Sequence, residues 1–400
     1  MQNLLPLLAI KPTKVVQLKS AGVGFDSAAK SIEMAAREAG LDAGFETVEL
    51  GMQFPEIADI KDAIDAVIHD AEGAIFLNIT GGTKLMSIGA YWAGCQLREN
   101  AHVLYCDSAQ QRFISVGTVP LPSQLPSFAS TVASLTVRMV MAAHGKSPGS
   151  WRFDRATEQG LLFGRRAFEL RLGEADAFKD CQFSESVRQF FRSDNGRIPD
   201  GRARLESLLT LDVCGAIGDP IPDAVNAYFE AASKGGFLKS LDGGGWRLAL
   251  APDGVENKKE LKRHVESVAN ILDGSWLELA VLDLISQSDG FFDPHWSVEP
   301  RRGEGDDGTG SFGETDLVCL RPAGALQVIS CKTKIKQPLE HIESLSQRSR
   351  NLGGQFAQAM LVLLDSQNSK KEKEIRSWAR HFGVEVLIGE EIRKLGGTNG

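Results

Sequence analysis

No run of eighteen apolar residues occurs anywhere in the 400-residue sequence, which excludes an ordinary membrane-spanning helix. The start, MQNLLPLLAIKP, lacks a basic leader region, and its short apolar stretch breaks at Pro12. A cytoplasmic protein with no membrane partner is expected. The six cysteines (Cys95, Cys106, Cys181, Cys214, Cys319, Cys331) contain no C-x-x-C pair, so a structural zinc is not expected. Three of them sit inside apolar strand-like runs, as reduced buried thiols do. Basic residues are outnumbered: 44 Lys and Arg against 52 Asp and Glu give a net charge of −8. That balance excludes a protein that coats nucleic acid constitutively, although CKTKIKQPLEHIESLSQRSR (331–350) is locally positive. There is no internal repeat and no low-complexity tract.

What is present is ordinary globular composition, 42% hydrophobic and 24% charged, in a chain long enough for two or three domains. Within a first domain drawn at 1–145, residues 1 to about 120 alternate short apolar strands with helical segments, as a parallel sheet flanked by helices does. VVQLKS (15–20), ETVEL (46–50), GAIFLNIT (73–80) and HVLYCDS (102–108) are the expected strands, with GAIFLNIT read as a central strand covered on both faces. DSAAKSIEMAAREAG (26–40) and PEIADIKDAIDAVIHDAEG (55–73) are expected helices, the second with Ile57, Ile60, Ile64, Val67 and Ile68 on one face. Two loop-like stretches, 119–128 and 144–151, bracket a short helix and mark a border.

Residues 146–265 form a small mixed connector with a hairpin near 235–250, winged-helix-like in outline. From 266 to 400 the order is αβββαβαβ, an α/β domain. RRGEGDDGTGSFG (301–313) interrupts it as a glycine-rich loop beside Glu314, either a gate for a polymeric substrate or an ordinary long connection.

The chemistry-bearing stretch is ETDLVCLRPAGALQVISCKTK (314–334), two apolar runs around a turn, with Asp316 and Lys332 at facing ends. Glu314 lies two residues before Asp316 and shares its strand face. Glu278 sits in the helix SWLELAVLDLISQ (275–287) with no polar face of its own, so its charge needs a cation. Oxygen ligands in small number suit Mg2+ or Mn2+, and acids, metal and lysine together have the form of phosphodiester hydrolysis. The plain alternative is a structural ion pair between Asp316 and Lys332 at a strand end.

These residues resemble the PD-(D/E)xK nuclease core over roughly 266–390, a restriction-endonuclease-like domain. The resemblance implies Asp316 as the central metal-binding acid, Lys332 as the catalytic lysine and Glu278 as the acid of the first helix. Where that family has an acid two residues before the lysine, this chain has Ser330. Glu314 or the Cys331 carbonyl is then the substitute ligand.

In the first domain the buried strand LNIT turns through Gly81 and Gly82 and opens a helix at Thr83 and Lys84. This is neither G-x-x-x-x-G-K-[ST] nor G-x-G-x-x-G, but glycines at a helix N-terminus make a phosphate or ribose cradle, unless the turn is a plain strand-to-helix connection. A second turn, SAGVGFDSA (20–28), lies on the same edge of a doubly wound sheet. LNITGGTKLMSIGAYWA, with LLPLLAIKPTKVVQL before it and VLYCDS after, resembles the CARF domains of type III CRISPR effectors. The resemblance implies a Rossmann-like domain that dimerises and binds cyclic oligoadenylate, with Thr80, Gly81, Gly82, Thr83 and Lys84 along the ligand and Gly22, Phe25 and Asp107 nearby.

Together the two halves imply a homodimeric, metal-dependent endonuclease of antiviral defence, acting on DNA or RNA and activated by cyclic oligoadenylate, expected to be cyclic tetra-adenylate. The other reading is a cyclic-oligoadenylate-sensing transcription regulator with an inactive nuclease-like domain. Ser330 gives that reading its footing, whereas 184–204 mixes arginines with Glu185, Asp194 and Asp200 and shows no basic recognition helix. The hexapeptide from Arg376 to His381 matches R-x4-H of all-helical HEPN ribonucleases but falls on one helix between strands, and is read as an amphipathic surface helix.

Overall fold

The computed structural model describes residues 3–21, 23–51, 56–69, 71–97, 101–192, 197–218, 220–242, 245–249, 257–300 and 313–397. Most of the glycine-rich loop, 301–312, and Gly22 lie outside the described residues. Among those described, no helix is long and apolar enough to cross a membrane.

The first 143 residues carry α1 (Leu4–Ile10), β1 (Lys14–Lys19), α2 (Val23–Glu38), β2 (Gly44–Glu49), α3 (Ile57–Ile68), β3 (Ile75–Asn78), α4 (Lys84–Leu97), β4 (Ala101–Asp107), β5 (Arg112–Ser115), α5 (Phe128–Ala133) and α6 (Val137–Ala143). The four strands read from sequence form, β1 with β2 and β3 with β4 in parallel pairs. They lie in two sheets, β1-β2 and β3-β4-β5, rather than one continuous sheet. The expectation that 73–80 is a central strand is corrected: β3 is an edge with only Ile75 buried, and β4 is the middle strand. Continuous apolarity misleads here because Phe76 is not enclosed by a core but stacks on His102 of β4, with ring centroids 4.8 Å apart.

The chain continues through β6 (Trp151–Asp154), α7 (Glu158–Gly173), α8 (Ala175–Asp180), α9 (Phe183–Phe191), α10 (Arg202–Leu208), α11 (Asp223–Lys234), and the hairpin β7 (Leu238–Ser240) and β8 (Trp246–Leu248). After it come α12 (Lys258–Asn270), a π-helical turn Ile271–Ser275, α13 (Trp276–Ser286), β9 (Phe292–Pro300), β10 (Thr315–Leu320), β11 (Leu326–Lys332), α14 (Pro338–Gly353), β12 (Gln358–Leu363), α15 (Ser369–Phe382) and β13 (Val384–Ile388).

The αβββαβαβ order stands from α13 to β13, and the sheet runs β13-β12-β11-β10-β9-β6. Strands β11, β12 and β13 are parallel, while β9, β10 and β6 add antiparallel. Two borders drawn from sequence are not borders in the packing. β6 belongs to this sheet, and residue 265 falls inside α12, whose helical backbone passes through the π turn into α13. The helix expected to begin at Ser275 therefore continues an earlier one, because the π turn absorbs an extra residue without breaking the helix.

Alternation along the strands sends opposite sets of side chains to the two faces of the sheet. Leu317, Cys319, Ile329, Cys331, Met360 and Val362 share a buried cluster with α7, α11 and α13. Val318, Leu320, Val328, Leu361 and Leu363 share another with α6, α14 and α15. α13 carries apolar residues on every side because most of it is enclosed, with Trp276, Leu277, Leu279, Ala280, Val281 and Ile285 buried. It crosses α7 at Gly164, where a Cβ would come within 2.6 Å of the Ala280 nitrogen.

Candidate active site and candidate ligand turn

The β10–β11 ladder closes around a turn in which Gly324 takes φ +77° and its N–H donates to the Arg321 carbonyl at 2.8 Å. Regular pairing runs from Leu320↔Leu326 back to Leu317↔Ile329 and stops there. Beyond it the Asp316 side chain replaces the missing strand partner. Its Oδ2 accepts the Cys331 N–H at 2.7 Å, the Ser330 hydroxyl at 3.0 Å and the Lys332 ammonium at 3.0 Å. Three donors thus converge on one oxygen and fix the carboxylate in place. Burial alone would lower Lys332, but the charge of Asp316 and its hydrogen bond outweigh that and hold the ammonium above its ordinary value.

Glu278 reaches the same strand ends from α13. Its Oε1 accepts from Ser275 Oγ at 3.2 Å and its Oε2 from Trp296 Nε1 at 2.7 Å, and Trp296 is the β9 residue paired with Leu317. Burial, and then the neighbouring Asp316, push the carboxyl up to about 8, against the opposing pull of Trp296 and Lys332. Glu314 is exposed and turned toward β9, where Ser297 Oγ donates to its Oε1 at 2.5 Å, while Arg348 donates to its carbonyl at 2.8 Å. Its charge still adds to the upward push on Glu278. The structure therefore gathers Asp316, Lys332 and Glu278, with Glu314 at the rim.

Among the described residues no three His, Cys, Asp or Glu side chains are grouped as metal ligands. The oxygen set nevertheless fits a hard divalent cation. Lys332 is engaged with Asp316, and the Glu278 carboxyl beside them is raised first by its burial and then by the Asp316 charge, both of which a bound cation would offset. The Cys331 thiol is buried and held well above its usual range, so only that residue's carbonyl suits such an ion. Leu364 N–H donates to the Lys332 carbonyl, which by alternation turns the main-chain groups of Cys331 toward β10 and Asp316.

One residue was not legible in the sequence. His341, on α14, brings Nε2 within 3.1 Å of Ser330 Oγ. Burial and then the nearby Lys332 charge lower its pKa, which favours a neutral ring. Nothing in the spacing from Lys332 announces the contact, because the turn before Pro338 sets the facing of the helix.

In the first domain, Thr83 Oγ1 accepts the Met86 N–H at 3.2 Å and caps α4, and Gly82 takes φ +89°. A side chain at position 81 would run into Asn3, whose Oδ1 also accepts from Asn78 Nδ2 at 3.2 Å. Gly81, Gly82, Thr83 and Lys84 thus form the expected turn, with Lys84 exposed and Phe25 44% exposed.

Two expected residues have local duties. Thr80 Oγ1 donates to Asn78 Oδ1 at 2.7 Å and accepts the Cys106 N–H at 2.7 Å, joining β3 to β4. Asp107 Oδ1 accepts the N–H groups of Ala109 and Gln110, both at 3.0 Å, and closes the β4–β5 turn. Along α4 an apolar stripe stands in solvent: Leu85, Ile88, Tyr91 and Trp92.

Residues 9–119 match the family model of the Card1 CARF domain. That segment spans β1 to β5, so the Gly81–Gly82 turn and the exposed stripe of α4 are features of its CARF-like part. Over the whole chain the fold is similar to that of Can2 from Sulfobacillus thermosulfidooxidans, solved in complex with cyclic tetra-adenylate: 16% identity, TM-score 0.63, covering 99% of this chain and 94% of that one. Protein VC1899 from Vibrio cholerae is similar at 16% identity and TM-score 0.62, over 99% and 93% of the two chains. A type III CRISPR defence DNA nuclease activated by cyclic oligoadenylate is similar at 16% identity and TM-score 0.52, over all of this chain and 50% of that one. No curated protein matches the chain. At such identity the likeness is one of fold, a mixed α/β chain with a CARF-like N-terminal domain.

The R-x4-H hexapeptide has a structural duty. Arg376 pairs with Glu372 at 2.9 Å and Glu391 at 2.8 Å, and tethers α15 to the segment after β13.

Proposed function

We propose that the protein is a metal-dependent nuclease switched on by a cyclic oligoadenylate, with cyclic tetra-adenylate the expected activator, in type III CRISPR defence. The observation that carries this reading is the Asp316–Lys332–Glu278 constellation at the strand ends of a chain whose residues 9–119 match a CARF domain. The similarity in fold to Can2 and to a cyclic-oligoadenylate-activated DNA nuclease supports it.

In this reading Asp316, Glu278 and the Cys331 carbonyl hold Mg2+ or Mn2+, with Glu314 at the rim. The ion, when bound, lowers the pKa of a water and offsets charge on the phosphate. Lys332 keeps its proton and neutralises charge beside the scissile phosphate. Trp296 and Ser275 hold the Glu278 carboxyl in place. The turn at Gly81 and Gly82 offers backbone N–H groups to an activator phosphate, with Thr83 and Lys84 beside it and Phe25 near.

A second copy of the chain is the expected partner of the exposed stripe on α4. A ring-shaped activator on a two-fold axis between CARF-like parts contacts both copies. Because a ligand shifts only an equilibrium between states it binds differently, activation from mostly off to mostly on needs about 5 kcal/mol of differential binding.

The test is incubation of the purified protein with defined cyclic oligoadenylates, Mn2+, supercoiled plasmid and labelled RNA. Cleavage that requires both activator and Mn2+ is expected. Intact substrates in every combination would remove the enzyme and favour the second reading, a ligand-sensing regulator, for which Ser330 in place of an acid is the observation. That reading expects activator-dependent retention of DNA in a gel without cutting.

A further inference from the structure

Ser330 and His341 have no role in the chemistry above, yet they form one hydrogen-bonded line into the candidate active site. The proton count fixes its direction. The Ser330 hydroxyl gives its single proton to Asp316 Oδ2, 3.0 Å away, the oxygen that also takes the Cys331 N–H and the Lys332 ammonium. The Ser330 oxygen can then only accept from His341 Nε2, 3.1 Å away. The order is His341 Nε2–H to Ser330 Oγ–H to Asp316 Oδ2, which requires the Nε2–H tautomer. Ser330 is buried at 7% exposure on the α14 face of the sheet, and His341 is half-buried above it. The three bonds to Asp316 all fall on Oδ2, from Ser330, Cys331 and Lys332, which directs Oδ1 to any ligand.

We propose that Ser330 and His341 act as a single positioning unit that fixes the orientation of Asp316 and presents its Oδ1 to the cation. Ser330 stands where an acid would add a charge. The inference rests on the metal-dependent reading of the site and assigns it two positioning residues. Without Ser330, Oδ2 loses one of three donors and the carboxylate can rotate. Without His341, the serine hydroxyl loses the partner that holds its rotamer.

The experiment measures Mn2+ affinity of the full chain directly, from the paramagnetic resonance signal of free Mn2+, so that no turnover is needed. Thermal melting runs alongside to check folding. Ser330→Ala and His341→Ala are each expected to weaken Mn2+ binding by about tenfold to a hundredfold. The double variant is expected to be no worse than the weaker single one, because the two residues form one unit. His341→Gln, whose amide N–H can still donate to Ser330, should recover most of the affinity, which a purely space-filling role does not predict.

Wild-type affinity in His341→Ala, additive losses in the double variant, or a His341→Gln as weak as His341→Ala would each overturn the unit while leaving the metal site standing. If the wild-type protein itself binds no Mn2+, the metal-dependent reading falls and this inference with it. Should His341→Ala fail to fold, Ser330→Ala and His341→Gln carry the same decision.

Discussion

At the scale of single residues, Asp316 is the hub of the strand end, its Oδ2 taking donors from Ser330, Cys331 and Lys332. Asp316, Lys332 and Glu278 were legible because charge inside apolar runs is costly unless it is paired. The structure brings them to one strand end, with Lys332 and Asp316 3.0 Å apart. His341 was hidden because its role depends on which way α14 faces, a matter of tertiary packing. Thr80 and Asp107 show the reverse, polar residues beside a candidate ligand turn whose side chains also serve the fold.

Changing Lys332 to Ala should cost at least about a hundredfold in activated cleavage, the loss expected when a charge-stabilising donor is removed. Activator affinity by calorimetry should stay put; cleavage at the wild-type rate would assign the chemistry elsewhere. Changing Lys84 to Glu replaces attraction to an activator phosphate by repulsion, and a charged hydrogen bond contributes about 1.5–3 kcal/mol. Activator binding should weaken by about tenfold or more, and an unchanged dissociation constant takes Lys84 out of the turn's ligand contacts.

At the scale of elements, periodicity succeeded wherever an element has one obvious environment. Helix α13 was readable from apolar residues on every side, broken only by Glu278 and Asp283 before its last residue, and β10 and β11 from two apolar runs around Gly324. The failures have a common cause. Whether β3 is a centre or an edge, whether β6 joins the distant sheet, and whether α12 ends before α13 all depend on neighbours far along the chain.

The α7–α13 crossing is the element on which the position of Glu278 depends. Gly164 permits it: a Cβ there would sit 2.7 Å from the Leu279 Cβ and 2.6 Å from the Ala280 nitrogen. Gly164→Val should therefore force the helices apart and cost about 1–3 kcal/mol, the usual penalty of overpacking. Chemical denaturation reads that loss directly. Because Leu279 and Ala280 adjoin Glu278, Mn2+ affinity should fall as well; a variant as stable as the parent would mean that the crossing is looser than these distances imply.

At the scale of the whole molecule, the first and last parts of the chain share a core. Leu4, Leu5, Val137, Val140 and Met141 are buried in the same cluster as Val318, Leu320, Val328 and Leu361 of the large sheet. Helix α6 is the physical link: the Val137 N–H at its start donates to Asp293 of β9 at 2.6 Å, and its end carries His144 against Gly354, just past α14. Burial first, then nearby positive charge, lowers His144 to about 4 from an ordinary 6.5, and its Nε2 has no hydrogen-bond partner among the described residues.

The sign of the consequence follows from proton counting. Between pH 6.5 and 4 the unfolded chain protonates this histidine while the folded chain does not, so stability falls as pH drops through that window and is unaffected above it. The loss at pH 4 is at most about 3 kcal/mol for this group, since each tenfold difference in proton affinity between folded and unfolded chain is worth about 1.4 kcal/mol. Replacing His144 by Phe removes the titrating ring but keeps its bulk against Gly354, so the variant should lose that share of the acid destabilisation when melting is followed from pH 7 to 4. Parallel pH profiles for variant and parent would show that the junction between α6 and the sheet is wet rather than closed, and that the shared core ends short of it.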